Sequence, residues 1–261
     1  MIGDTFKWLT DAAHWRSNNF DTGIWSQLGS HVSFCAVALA IGLVVALPVG
    51  LWIGHSGRAT WLVTAANALR ALPTVGLIVL LVVIIAPHFY GATNKGYLIP
   101  TEIVLVLLAI PPILSNTFAG VQNVSPAVRD AAFGMGMTGP QVLFRVELPN
   151  AMPLIFSGFR SATLQVIATA TIAAYVTLGG LGRFIYDGLA QQDYPQMISG
   201  GLLVAALALV ADLLLALVQR YTVSPGITGR TARGAGQRRG RQKGADSRTA
   251  IVTEELASTS S

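Results

Sequence analysis

Long apolar runs recur along this 261-residue chain, and they limit the folds that it can adopt. Only 11% of its residues are charged and 52% are hydrophobic, whereas a soluble domain is usually about 25% charged. The runs approach the ~20 residues that an α-helix needs to cross a hydrocarbon core. The ~10-residue alternating segments of a transmembrane β-barrel are not found. We therefore predict an all-α fold, a polytopic transmembrane helical bundle.

Five core spans account for these runs. We place them at residues 32–53, 61–86, 97–118, 152–178 and 198–218. Arg70 and Pro73 interrupt the second run, because a proline kinks a helix and a charge at membrane depth is costly. Two interpretations of this run stay open: one span, or an interfacial helix over 61–72 that leads into a span.

The lysine and arginine residues near the span ends predict the orientation, because cytoplasmic segments carry an excess of both. One alternate set of segments carries four of them: Lys7, Arg16, Lys95 and Arg183. The other set carries eleven: Arg58, Arg129, Arg145, Arg220, Arg230, Arg233, Arg238, Arg239, Arg241, Lys243 and Arg248. We therefore expect an extracytoplasmic N-terminal segment over 1–27, a transmembrane domain over 28–221 and a cytoplasmic C-terminus. The basic tail over 222–261 has few large apolar residues, which predicts disorder.

A polar loop over 125–150 interrupts the apolar runs on the side predicted to be cytoplasmic. Ser125 suits a helix N-cap, and Pro126 suits the first helical position, where the missing N–H has no cost. Gly134 and Gly136 are expected to end this helix, because glycine readily adopts a left-handed backbone. The pattern predicts a short helix followed by a tight turn.

A second short helix is predicted directly after the turn. Thr138 is placed to act as its N-cap, with Pro140 in the first turn and Gln141 as the partner in a capping box. We expect Pro149 to end this helix, with Leu148 pushed towards extended geometry.

Two short helices must rest against something, and the sequence leaves two alternatives. The loop is either a linker folded onto its own bundle or a docking surface for a cytoplasmic partner. Phe133, Met135 and Met137 lie near the turn, and exposed side chains of this kind suit a hydrophobic groove.

The loop resembles the EAA loop of type I ABC importer permeases, a motif of the binding-protein-dependent transport family. That motif reads Glu-Ala-Ala, three residues, Gly, nine residues, Ile, any residue and Leu-Pro. The chain matches this spacing at Asp130, Ala131, Ala132, Gly136, Val146, Leu148 and Pro149. Asp in place of Glu keeps the charge, and Val in place of Ile keeps the shape. The resemblance implies that the loop is a coupling helix that inserts into a groove on an ATP-binding subunit.

The resemblance covers residues 28–221 and narrows to a branch of the family. Residues 70–82, 109–138 and 168–189 look like the glycine betaine/carnitine/choline/proline branch, and sulfonate and methionine permeases share parts of them. The resemblance implies the permease subunit of an ATP-driven osmoprotectant importer in a prokaryotic inner membrane. A permease for another small solute, such as a sulfonate or methionine, is the alternative, followed by a secondary transporter.

The partners that this resemblance implies are two copies of an ABC ATP-binding subunit, a second permease subunit and an extracytoplasmic solute-binding protein. The lipid membrane is the remaining partner, and no nucleic acid is expected. The chain contains no G-x-x-x-x-G-K-[ST] sequence, nucleophile–base pair or metal-ligand cluster. We therefore predict no cofactor, metal or catalytic residue, and we expect ATP hydrolysis on a partner chain rather than on this one.

The fourth predicted span carries small or polar residues at i, i+4 spacing: Ser161, Gln165, Thr169, Ala173 and Thr177. On one continuous helix these residues would form a single slanting face. Such a face either lines a translocation path or packs closely against a neighbouring helix. The sequence does not separate these alternatives, which are compatible with each other.

Four ionisable residues lie within or near the predicted spans: Arg70, Glu102, Arg160 and Asp212. On the predicted topology all except Glu102 fall towards the cytoplasmic ends, where long side chains reach the interface by snorkelling. Glu102 falls near the outer end, where it can face water. We interpret all four as structural, and the lack of a mid-membrane carboxylate disfavours a proton-coupled carrier.

Overall fold

A computed structural model describes residues 2–16, 23–89 and 94–222, and every regular element in these ranges is helical. The α-helices are α1 (Ile2–Thr10), α2 (Ala12–Trp15), α3 (Ile24–Ser56), α4 (Trp61–Ala68), α5 (Thr74–Ile85), α6 (Lys95–Gln122), α7 (Pro126–Gly134), α8 (Gly139–Val142), α9 (Leu148–Ala170), α10 (Gly182–Gln191) and α11 (Tyr194–Thr222). The chain divides into two compact units, 1–218 and 219–261, and every site described below lies in the first. The predicted all-α class is confirmed. The tail predicted over 222–261 lies outside the described residues, apart from Thr222 at the end of α11.

Three of the described helices, α3, α6 and α11, are long and apolar enough to cross a membrane by themselves. The bent pair Trp61–Ala71 and Thr74–His88 provides a fourth crossing if it is counted as one span. The fourth predicted span contains most of α9, which has 23 residues but does not reach the same apolar character. Because α9 packs against α3 and α6, only part of its surface is left to face lipid.

The second predicted span is broken at Pro73. Its two arms meet at an angle of 91°, and Leu72 and Pro73 between them adopt extended backbone. Proline has no N–H to donate and disfavours helical geometry in the residue before it. The first arm is held to α6 by Asn67, whose side-chain amide donates to the hydroxyl of Ser115 at 3.0 Å. The geometry agrees with a short helix that leads at a steep angle into an apolar one.

The core of the bundle lies where α3, α6 and α9 meet. On α3, Gly50 and Gly54 face α6 so closely that a Cβ at Gly54 would lie 2.7 Å from the Cβ of Val121. Small residues allow membrane helices to approach in this way. This close contact makes the end of α3 and the end of α6 a single packed unit, and the 125–150 loop begins directly after it.

The fourth predicted span, 152–178, differs from the helix that forms. α9 begins at Leu148 and ends at Ala170, after which a 3₁₀ helix covers Thr171–Val176. Thr177 then adopts left-handed backbone with φ +65°. A 3₁₀ helix has three residues per turn rather than 3.6, so residues four apart no longer line up. The single polar face expected from Ser161 to Thr177 therefore ends at Thr169.

The turn after this 3₁₀ helix is fastened to the start of α3. The N–H of Gly180, which has φ +108°, donates to Gln27 Oε1 at 2.6 Å. His31 Nε2 lies 3.1 Å from the carbonyl oxygen of Ile167 in α9. The Gly180 contact spans 153 positions of the chain and the His31 contact spans 136. Both contacts favour an end of α9 that comes earlier than its own i, i+4 pattern indicates.

A bidentate ion pair joins α9 to α11. Arg160 donates from Nε and Nη2 to the Asp212 carboxylate at distances of 2.7–2.9 Å. Two parallel N–H···O bonds make this among the stronger side-chain contacts. The structural interpretation of both residues agrees with this geometry. The sequence pattern, however, indicates two separate snorkelling groups and does not link them.

Candidate functional site

The 125–150 loop connects α6 to α9 and begins with α7. Ser125 occupies the N-cap and Pro126 the first helical position, as predicted, although the Ser125 side chain makes no capping hydrogen bond. The pre-set φ of proline therefore contributes more to starting this helix than the serine hydroxyl does.

A Schellman turn ends α7. The N–H of Met137 donates to the carbonyl of Ala132 at 3.2 Å, and the N–H of Gly136 donates to the carbonyl of Phe133 at 2.9 Å. This pair of hydrogen bonds requires a left-handed residue between them, and Gly136 has φ +82°. The predicted glycine stop is confirmed at Gly136, whereas Gly134 is still helical.

The second helix of the loop, α8, starts with the predicted capping box. The backbone N–H of Thr138 donates to Gln141 Oε1 at 2.8 Å. After one turn the chain widens into a π-helical segment, Leu143–Glu147, and this segment continues directly into α9. The loop and α9 thus share one continuous helical rod.

The expectation that Pro149 ends the second helix is wrong. Leu148 is helical, with φ −59° and ψ −49°, and Pro149 lies in the first turn of α9. A proline disrupts an α-helix because it lacks the N–H and its ring meets the carbonyl four residues earlier. The π turn before Pro149 replaces the i→i−4 spacing by i→i−5, so the wider turn accommodates the ring without breaking the rod.

A buried carboxylate lies at the base of the loop. Glu147 is only 1% exposed; its Oε2 lies 2.7 Å from His55 Nδ1 at the end of α3, and its Oε1 lies 2.9 Å from Arg129 Nε in α7. Arg129 also donates from Nη2 to the carbonyl of Val121 in α6 at 2.6 Å. Taking a carboxylate out of water costs several kcal/mol, and paired charges offset much of that cost. We call His55, Arg129 and Glu147 the charged joint.

The loop has one face packed on the protein and another left open. Ala132 and Val142 are buried, which agrees with the expectation of a folded linker. Four large apolar side chains are exposed, with Met135 the most open at 73%: Val128, Phe133, Met135 and Phe144. Met137 is half-buried rather than exposed. The folded-linker alternative therefore applies to the packed face. An exposed apolar group is typical of a docking surface, and docking at the open face stays a prediction.

The motif residues differ in environment. Asp130, Ala131 and Pro149 are exposed, Ala132 is buried, and Val146 and Leu148 are half-buried. The Asp130 side chain makes no hydrogen bond or ion pair with any other described residue. Its carboxylate is therefore free to meet a group outside the described part of the chain.

Two members of the charged joint, His55 and Glu147, were not singled out from the sequence. Glu147 fills the position that the motif leaves unspecified, and its only signal is a carboxylate at the start of a span. His55 lies 92 positions away, and no local pattern links it to the loop.

The predicted polar face of the fourth span is brought together only in part. Ser161 is exposed on α9, and Gln165 and Thr169 are half-buried on the same helix. Thr177 is exposed in the turn beyond the 3₁₀ helix. The first three can line one surface, and Thr177 lies past the end of that surface.

Residues 20–223 match the family described as "Binding-protein-dependent transport system inner membrane component". The carnitine transport permease protein OpuCB of Listeria monocytogenes is 32% identical over 200 residues, which cover 76% of this chain and 87% of that protein. The osmoprotectant import permease protein OsmW of Salmonella typhimurium is 32% identical over 198 residues, covering 76% and 90%.

The fold is similar to that of a solved transporter. A chain of the methionine ABC transporter MetNI, in an inward-facing conformation, superimposes with a TM-score of 0.61 at 20% identity, covering 75% of this chain and 94% of that one. At this identity the likeness concerns the fold, and the motif and the sequence relatives bear on the function.

Proposed function

The chain belongs to the family of binding-protein-dependent transport system inner membrane components, and on this premise we propose that it is the permease subunit of an ATP-driven osmoprotectant importer. The solutes are glycine betaine, carnitine, choline or proline. The two sequence relatives above are named for carnitine transport and osmoprotectant import, and the segments 70–82, 109–138 and 168–189 resemble that branch.

The 125–150 loop is the observation that carries this proposal. It combines the motif spacing with two capped helices, an exposed apolar group and an Asp130 carboxylate that has no partner among the described residues. A secondary transporter has no need for such a surface, whereas an importer powered by a separate ATPase requires one. The motif residues Asp130 to Pro149 form the coupling loop of this proposal.

The proposed assembly contains two ATP-binding subunits, a second permease subunit and an extracytoplasmic solute-binding protein. ATP binding draws the two ATP-binding subunits together, and the coupling loop passes their motion to the spans. ATP hydrolysis takes place on those partners, and solute recognition lies mainly on the binding protein, where aromatic side chains suit quaternary ammonium groups.

The proposed function is tested by solute uptake into proteoliposomes that contain the chain with its ATP-binding subunit and binding protein. Radiolabelled glycine betaine or carnitine should accumulate only when ATP is supplied on the side of the ATP-binding subunit. Accumulation driven by an ion gradient without ATP would contradict the proposal and favour a secondary transporter. Competition by methionine or a sulfonate, but not by choline, would indicate that the substrate is that of another branch of the family.

We propose the orientation that the basic residues predict, with the N-terminus outside and the coupling loop and C-terminus in the cytoplasm. A reporter that is active only in the cytoplasm should be active when fused after Thr231 and inactive when fused at Thr93. A reporter that is active only outside should give the reverse result. The opposite pattern for both reporters would place the coupling loop outside, away from any ATPase.

The α9 face that carries Ser161, Gln165 and Thr169 is our proposal for the translocation path, with Thr177 beyond its outer end. In a Cys35→Ala background, Ser161→Cys should react with a charged, water-soluble thiol reagent, because a water-filled path permits the reactive thiolate to form. Leu209→Cys on the apolar side of α11 is the control: Leu209 is also exposed in the chain but should contact lipid. Equal labelling at both positions would contradict this path.

A further inference from the structure

The charged joint connects three helices that meet at the base of the coupling loop. His55 is the second-last residue of α3, Arg129 lies in α7, and Glu147 is the last residue of the π segment before α9. Each carboxylate oxygen of Glu147 lies within ion-pair distance of one partner, Oε2 at 2.7 Å from His55 Nδ1 and Oε1 at 2.9 Å from Arg129 Nε. The motif leaves the Glu147 position unspecified, so the joint is an observation of this structure rather than of the motif.

The joint is also fixed to α6. Arg129 donates to the carbonyl of Val121, and Gln122 donates from Nε2 to the carbonyl of Gly54 at 2.8 Å. Because α3 and α6 approach closely at Gly54 and Val121, these bonds tie the coupling helix to a packed part of the bundle. A rotation of α7 would therefore disturb the contacts that Glu147 makes with Arg129 and His55.

The π segment places Glu147 at the junction between α8 and α9. A π turn is rare and often marks a functional position in a helix, and this one separates α8 from α9. The rod is continuous on both sides, so a displacement of α8 reaches α9 through the π segment. Glu147 holds the inner side of this segment to α3 and α7 at once.

We propose that His55, Arg129 and Glu147 are positioning residues that transmit motion of the coupling loop to α3 and α9. This inference rests on the proposed function, since it requires a loop that moves with an ATPase. None of the three residues needs to contact solute or nucleotide. Each acts by keeping α7, the π segment and the end of α3 in a fixed arrangement. Motion of the loop then also displaces α3 and α9.

His55 gives the sharpest test, because its side chain is at the edge of the joint and 28% exposed. His55→Leu removes the donor that faces Glu147, whereas His55→Asn keeps an N–H donor the same number of bonds from the backbone as Nδ1. Glu147→Gln removes the charge and keeps the shape. Glu102→Gln is the matched control, since Glu102 lies on α6 and makes no ion pair with a described residue.

The measurement is made on the whole reconstituted complex. Three quantities are needed for each variant: solute taken up per ATP hydrolysed, the amount of ATP-binding subunit that co-purifies with the permease, and the thermal midpoint. We expect His55→Leu and Glu147→Gln to lower uptake per ATP about three- to tenfold, the size seen when residues of a coupling network are changed. The ATP-binding subunit should still co-purify fully, and His55→Asn and Glu102→Gln should match the parent protein.

Two results would overturn this inference alone, and a third would overturn it together with the proposed function. Equal uptake per ATP in His55→Leu and His55→Asn would show that the contact with Glu147 carries no motion. A loss that follows co-purification or the thermal midpoint in every variant would make the joint a structural clamp only. A parent protein without ATP-dependent uptake would overturn the proposed function, and with it the role proposed for the charged joint. This result is distinct because it appears before any variant is compared.

Discussion

Gly136→Val should leave the protein inserted in the membrane but remove most of its ATP-driven uptake. Gly136 sits at φ +82° between the two hydrogen bonds of the Schellman turn. A β-branched residue disfavours this backbone, at a cost of about 1–3 kcal/mol. The turn fixes α8 relative to α7, so its loss changes the outline of the proposed docking surface rather than the packing of the spans.

The size of the expected loss of uptake depends on how the backbone strain at residue 136 is relieved. If about 2 kcal/mol of strain is relieved only by opening the turn, the docking-competent loop is depleted roughly 30-fold at ~1.4 kcal/mol per decade. Co-purification of the ATP-binding subunit and vesicle uptake, at matched expression, measure this effect directly.

Gly134 supplies the matched control. Neither glycine has an atom within 4 Å of its would-be Cβ, and only Gly136 has positive φ. Gly134→Ala should therefore be tolerated, since alanine suits a helical position, whereas Gly136→Ala should already weaken uptake. Equal effects of the two alanine variants, or normal uptake with Gly136→Val, would contradict the coupling-loop assignment.

The parts of this loop that the sequence predicted are those set by neighbouring residues. The start at Pro126, the left-handed Gly136 and the bond between Thr138 and Gln141 each involve partners within five residues. Capping chemistry depends on which side chain stands at which offset. A pattern read along the chain contains that information, and the same holds for the break at Pro73.

The parts that the sequence did not predict depend on distant partners. His55 and Glu147 are 92 positions apart, and Arg160 and Asp212 are 52 apart. The sequence explains each of these residues by itself, as a snorkelling or solvated group. Only the packing of the helices shows that they form pairs. The prediction that Pro149 ends the helix is wrong for a related reason. A proline normally stops a helix, and the π turn that accommodates this one has no sequence signature.

Asp130 is the acidic residue of the motif, and the structure narrows its role. It is exposed on α7, and its side chain has no hydrogen bond or ion pair within the described residues. Its carboxylate therefore makes no bond to its own loop, and we propose that its partner is a basic or N–H group on the ATP-binding subunit. A hydrogen bond to a charged group contributes ~1.5–3 kcal/mol, which corresponds to about tenfold or more in docking affinity.

Asp130→Lys should lower ATP-driven uptake about tenfold or more, since it replaces an attraction by a repulsion. Asp130→Glu, which has the residue of the motif, should transport at least as well as the parent protein. Binding of solute to the isolated binding protein should not change in either variant. Membrane-vesicle uptake at matched expression measures the first two, and equilibrium binding measures the third.

Asn123→Lys separates this specific contact from a general effect of charge. Asn123 is exposed at the end of α6, just before the loop, so its lysine adds a positive charge to the same end of the bundle without removing a carboxylate. Asn123→Lys changes the charge by +1 and Asp130→Lys by +2, so if only charge density matters, Asn123→Lys should also reduce uptake, by the smaller factor. If the carboxylate meets a partner, only Asp130→Lys should reduce uptake. Unchanged uptake in Asp130→Lys would mean that the acidic position carries no coupling, and the surface that docks the ATPase would then be the exposed apolar group alone.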